Sequence, residues 1–190
     1  FESRGLGDVY KRQVRSSFIQ RINSDLANDI GNLSQRTLSF VFKNLEGILP
    51  AVPKALQHED KQLIVEADRL LDTVRTSFDQ QAFHDGLKQI WEVVAAANRY
   101  IDQMAPWALR KTDPNRMADV LGVLLETIRQ VAILLQPIMP NSAEQLLDQL
   151  KVKSDERNFD MLGGADRLIA GRRIDKPSGV FPRFSEDEAS

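Results

Sequence analysis

Apolar residues return at steps of three and four along four long stretches of this chain, and that spacing commits it to helices packed on helices. The first stripe is Phe18, Ile22, Leu26, Ile30, Leu33, Thr37 and Phe40, which predicts a helix over about 15–42. Gly31 lies inside it at a cost of about 1 kcal/mol relative to Ala. The stretch LEGILPAVP (45–53) holds two prolines and a glycine and reads as a turn. A second helix is expected over 59–77, burying Leu63, Ala67, Leu70, Leu71 and Val74. The third carries Phe83, Leu87, Ile90, Trp91, Val94, Ile101 and Met104, with Asp79 as its expected N-cap and Pro106 as its terminator. Asp113-Pro114 is a cap followed by proline at the first helical position, so a fourth helix starts there. Its stripe, from Met117 to Leu135, is the most apolar and is expected to be the most buried. Pro137 and Pro140 bracket a break, and Ser142 with Gln145 has the capping-box pattern for a short fifth helix through Leu150.

Strand-like alternation never persists beyond a few residues. The predicted fold is therefore all-α: an antiparallel bundle of four to five helices with an irregular C-terminal tail. Residues 1–13 (FESRGLGDVYKRQ) show no apolar period and are expected to be an unmatched leader. The helical domain is expected over 14–150. Beyond Lys151 the composition turns loop-like, with FDMLGG and GVFPRF as its apolar points, and 151–190 is expected to form an extension.

Composition removes several kinds of chemistry. With no cysteine, disulfides, zinc–thiolate sites and thiol catalysis are excluded. The two histidines, His58 and His84, lack a partner four residues away and read as surface or cap residues rather than metal ligands. A net charge of −2 rules out a whole-molecule basic field, so contact with a nucleic acid needs a local patch. No apolar run approaches the roughly 18 residues of a membrane span, so a soluble, intracellular protein with no membrane partner is expected. The chain opens on Phe rather than Met, which is the expectation for a fragment.

A few residues could carry function. Asn32 and Arg36 lie one helical turn apart on one face, where an amide and a guanidinium present donors and an acceptor to a base edge or a phosphate. A solvated helix face explains the same spacing, and on spacing alone it is the favoured reading. Trp107 follows Pro106 at a helix break, half-exposed, either as a stacking face for a splayed base or as a plug over the bundle end. Arg110 and Lys111 follow it, a cluster fit for phosphates or simply a solvated helix end. Asn98 lies on the third stripe and is expected to brace a neighbouring element, sharing a network with Arg99, Tyr100 and Asp102. Asp25 and Asp29 read as polar-face residues or partners for Arg21 and Arg36. Gly163-Gly164 follows no convincing strand and is not a phosphate loop. No nucleophile, base and oxyanion site assemble.

Three stretches together carry a resemblance: RINSDLANDIGNLSQR (21–36), ANRYIDQMAPWALRK (97–111) and LLQPIMPNSAEQLLDQL (134–150). In order and separation they are similar to the C-terminal part of methionyl-tRNA synthetase, a class I aminoacyl-tRNA synthetase, and the late GVFPRF resembles that family's closing segment. The resemblance covers about 14–184. It implies a helical domain that binds the CAU anticodon of tRNA(Met), within an enzyme that joins methionine to tRNA with ATP in the cytoplasm. It implies that Asn32, Arg36 and Trp107 recognise the anticodon and that Pro106 helps present the tryptophan. Lys43, Arg110 and Lys111 are expected at the RNA backbone, Asn98 in a structural polar role. The tail after Lys151 is expected to return toward the catalytic body.

The family's HIGH and KMSKS signatures are absent, and Lys176-Pro177-Ser178 does not replace them. The chain alone is therefore expected to be catalytically inactive and to hold no cofactor or metal, with ATP and any zinc belonging to the upstream catalytic part. It also ends without the extra module that dimerises some family members, so a monomer is expected. Two other readings remain: the anticodon domain of a related synthetase (valine, isoleucine, leucine or cysteine), or a helical adaptor with no RNA role, motivated by the overall acidity.

Overall fold

A computed structural model describes residues 28–164 and 166–181. Among these, six α-helices follow in order: α1 (Asn32–Asn44), α2 (His58–Asp79), α3 (Phe83–Met104), α4 (Pro106–Thr112), α5 (Pro114–Leu135) and α6 (Pro140–Gln149). Two single 3₁₀ turns, Ser154–Glu156 and Phe159–Met161, interrupt the tail. No membrane-crossing helix occurs among the described residues. The predicted leader and the first half of the predicted first helix, with Arg21 and Asp25, lie outside the described residues.

α5 is the axis of the bundle. Every residue from Val120 to Leu135 is buried, polar ones included, as its unbroken apolar pattern requires. α1, α2, α3, α4 and α6 all pack against it. α2 and α3 form the most extensive helix pair, joined by a three-residue turn that makes them antiparallel. Asp113 caps α5 by accepting from the Arg116 N–H at 3.0 Å, with Pro114 at the first helical position, as the sequence predicts.

Other expected caps differ. Asp79 is the last residue of α2, and α3 starts after Ala82 with no side-chain cap. The Ser142/Gln145 pattern does not cap α6: Pro140, two residues earlier, starts that helix, so Ser142 lies inside it. Proline's preset φ fixes the start more firmly than a serine hydroxyl two residues on. Pro106 ends α3 but also begins α4, a helix the periodicity did not reveal because seven residues are too few to show a stripe. Phe83, assigned to the buried stripe, is 56% exposed and meets Phe78 edge-on with centroids 5.2 Å apart. Trp91 is half-buried at the margin of the core rather than within it.

The tail is irregular, as expected, yet firmly attached. Residues 171–174 run antiparallel to 47–49, with Leu49 donating to Arg172 at 2.9 Å, Gly171 to Leu49 at 2.9 Å and Ile174 to Gly47 at 2.8 Å. Beneath it, the fully buried Glu126 accepts from Arg129, Gln130 and the Leu168 backbone at 2.8–2.9 Å. Arg129 donates to the carbonyls of Met161 and Asp166, and Arg167 forks onto Asp68 at 2.6 and 2.8 Å. The tail thus supplies part of the hydrogen bonding for two charges that α5 buries.

Candidate nucleic-acid interface

Three helices, α1 and the sequence-distant α3 and α4, bring several of the sequence-selected residues together. α1 contributes Arg36, Ser39, Phe40 and Lys43; α3 and α4 contribute Ile101, Pro106 and Trp107. They line an open groove of about 380 Å³. Its floor is apolar because Phe40 and Ile101 rest on the core, and its rim is cationic.

Trp107 is 46% exposed, and the Arg36 guanidinium lies over its ring, 5.6 Å from the centroid. That distance is within cation–π range. Pro106 is buried next to the tryptophan in the chain, and the chain reaches it through Ala105, whose φ of 44° is left-handed. A β-carbon makes that conformation costly, so the bend that exposes the indole is held by its surroundings. Arg36 is in turn held by Asp102, Nη2 to Oδ1 at 2.8 Å. A guanidinium carries five donors in one plane, so an anchored Arg36 presents a flat, polar surface beside a flat, apolar one.

Asn32 is exposed and opens α1, one turn before Arg36 on the same helix, and is not part of the groove lining. Residues 28–31 before it form a wide, π-type turn. Lys43 lies on the groove. Arg110 donates from Nη1 to Asn44 Oδ1 at 3.2 Å, and Asn44 donates to the Phe40 carbonyl at 2.8 Å, which ties α4 to the end of α1. Lys111 is exposed on the same short helix.

Asn98 does not brace a neighbour in the way expected. It is half-buried and donates to the Val94 carbonyl of its own helix at 3.2 Å. The residues around it act separately, since successive positions on a helix point in different directions. Asp102 holds Arg36, while Tyr100 turns inward to Asp60, its hydroxyl donating at 2.6 Å. Asp60 is fully buried, and Arg116 forks onto it at 2.6 and 2.7 Å. Burial alone would raise the Asp60 pKa, but the bonds from Arg116, Tyr100 and the Gln57 backbone outweigh it and hold the carboxyl below its ordinary value. Burial and the adjoining carboxylate push the Tyr100 phenol upward. Arg116 is raised by its bond to Asp60, and Asp119 is raised chiefly by burial.

Sequence reasoning missed Asp102 as the partner of Arg36, and it missed Asp60 and Arg116 entirely. Partners 66 and 56 residues apart leave no local pattern. His58 and His84 are exposed, and the described residues contain no cluster of three His, Cys, Asp or Glu able to hold a metal.

Comparison with known proteins identifies the family to which the chain is similar. Residues 50–190 match the family model described as the anticodon binding domain of methionyl tRNA ligase. The methionine–tRNA ligase of Rhizobium meliloti (strain 1021) is 50% identical over 169 residues, covering 89% of this chain and 33% of the relative. That of Brucella suis biovar 1 is 49% identical over 171 residues, covering 90% of this chain and 33% of the relative. The crystal structure of the apo form of Mycobacterium tuberculosis methionyl-tRNA synthetase superposes with a TM-score of 0.84 at 42% identity, over 90% of this chain and 34% of that one. The methionyl-adenylate-bound form gives 0.83 at 42% identity, over 88% and 33%. The chain spans about a third of the length of these relatives. With a family model matching residues 50–190, most of its length, this chain belongs to the family of methionyl-tRNA ligase anticodon-binding domains.

Proposed function

We propose that the groove between α1 and α4 reads the CAU anticodon of tRNA(Met), as the anticodon-binding domain of a methionine–tRNA ligase. The observation that carries this reading is the anchored Arg36 guanidinium 5.6 Å from the half-exposed Trp107 ring. An anticodon base must leave its stack to be read, and an aromatic face offsets the lost stacking. Trp107 supplies that face, presented by Pro106. Asn32 and Arg36 bond the edge of the first anticodon base, and a wrong base leaves those groups unpaired. Lys43, Arg110 and Lys111 meet the phosphates, and Asn98 has a structural role.

The enzyme to which such a domain belongs joins methionine to tRNA with ATP, in the cytoplasm and as a monomer. ATP and any zinc are held in the two-thirds of the relatives' length that this chain does not span, and the chain alone is catalytically inactive. The test is binding of the 190-residue chain to a CAU stem-loop and to the same hairpin with its first anticodon base changed. Preference for CAU, weakening with salt along a shallow slope set by few phosphates, supports the reading. Equal affinities overturn it, and a panel of other anticodons identifies any different specificity.

A further inference from the structure

A buried carboxylate outside the groove is tied to both ends of the segment that carries Trp107. Asp60 sits in the first turn of α2 with no exposed surface. One oxygen accepts from the Tyr100 hydroxyl at 2.6 Å and from Arg116 Nη2 at 2.7 Å; the other accepts from Arg116 Nη1 at 2.6 Å and from the Gln57 N–H at 3.1 Å. Tyr100 belongs to the last part of α3, one turn before Met104, whose sulfur lies 3.5 Å from Arg116 Nη2. Arg116 belongs to the first turn of α5, where its own N–H satisfies the Asp113 cap. Between these two anchors run Ala105, with its left-handed φ, and α4, which bears Pro106 and Trp107.

Removing two charges from water is expensive, and a buried ion pair is often no more stabilising than apolar residues of the same size. A two-pronged guanidinium–carboxylate pair does, however, fix distance and angle together. We propose that Asp60, Tyr100 and Arg116 are positioning residues for anticodon reading: they hold the end of α3 and the start of α5 at the separation that keeps Trp107 facing Arg36, and so govern discrimination without touching RNA. The inference rests on the anticodon reading given above.

The experiment uses the full 190-residue chain in a Trp91→Phe background, so that indole emission reports Trp107. Asp60→Asn removes the charge; Tyr100→Phe removes one hydrogen bond and keeps the ring. Glu126→Gln alters a comparably buried carboxylate of α5 beneath the tail and serves as the comparison. Each variant is measured at a temperature where circular dichroism shows it folded. Asp60→Asn is expected to lower the ratio of CAU to changed-hairpin affinity by about tenfold, the size of one lost recognition contact, and Tyr100→Phe by less. Both should shift Trp107 emission in the free protein. Glu126→Gln should lower the melting temperature and leave the ratio and the emission at wild-type values.

A wild-type ratio and unshifted emission in folded Asp60→Asn and Tyr100→Phe overturn the proposal while leaving the anticodon reading in place. If Asp60→Asn does not fold, Tyr100→Phe decides alone by the same criterion. A ratio that falls equally in Glu126→Gln also overturns it, because general loosening would then explain the effect. Parental protein that binds both hairpins equally defeats the anticodon reading itself and is recognised before any variant is compared.

Discussion

Trp107 and Arg36 contribute different things to one surface, and single substitutions can separate them. The indole is 46% exposed, so its removal costs little folding energy, whereas a base stacked on it is worth about 1–3 kcal/mol. Trp107→Ala should therefore weaken CAU hairpin binding by that amount while the helical circular-dichroism signal and melting temperature stay near wild type. An unchanged dissociation constant would show that no base stacks there. Arg36→Lys keeps the charge and loses the planar fork that spans the ring and Asp102. It should preserve part of the phosphate-driven affinity and lose discrimination at the first base, which a two-hairpin comparison reads directly. Trp107 was legible in the sequence because a tryptophan beside a helix-breaking proline has few ways to be buried. Arg36 was legible only as half of an i,i+4 pair that fits a solvated face equally well. The contact of Arg36 with Trp107 on α4 is one that no spacing within α1 encodes.

At the scale of elements, the prolines and the apolar steps were the readable part. α2, α3 and α5 lie within two residues of their expected ends wherever a proline or a long stripe defined them. The short α4 and the attachment of the tail were not readable, since the first has too few turns for periodicity and the second depends on pairings between distant segments. Gly122 belongs to the same class. In the sequence it is one weak helix former inside the most apolar stripe, with a cost of about 1 kcal/mol and no visible reason. In the structure a β-carbon there would lie 2.2 Å from the Ala51 carbonyl oxygen and 2.8 Å from its carbon. The glycine lets the 51–52 backbone cross α5 in direct contact, and that crossing leads the turn after α1 into α2. Gly122→Ala gains helix propensity of about 1 kcal/mol but must displace backbone, an overpacking cost of about 1–3 kcal/mol or more. The net expectation is destabilisation, seen as a lower urea midpoint with an unchanged slope. A midpoint equal to or above wild type would mean that the loop moves aside freely.

Among the described residues, buried charge is gathered around Asp60, where α2, α3 and α5 meet, and under the tail around Glu126, with Arg172 and Glu156 nearby. Each shifted carboxyl sets the sign of its own contribution to the response to acid. The bond from Arg172 holds the Glu156 carboxyl at about 2, against an ordinary 4.5. A carboxyl whose pKa is lower in the folded chain than in the unfolded one binds fewer protons when folded, so stability rises with pH through that interval. The Glu156–Arg172 contribution is therefore complete above about pH 4.5 and is lost as pH falls toward about 2. Asp60, held below its ordinary value despite its burial, acts in the same direction. Asp119, raised by burial, acts in the opposite direction, and its penalty is relieved as it protonates. Glu156→Gln isolates one member of this set, because a glutamine does not titrate. Urea unfolding of wild type and Glu156→Gln should show the variant less stable near neutral pH, with the gap closing between pH 4.5 and about 2 as the wild-type carboxyl takes up its proton. A gap that stays constant across that interval would mean that the pairing with Arg172 contributes nothing to holding the tail on the bundle. A gap that closes would identify this ion pair as one of the fastenings that keep 171–174 beside 47–49, and so as part of what completes the domain around α5.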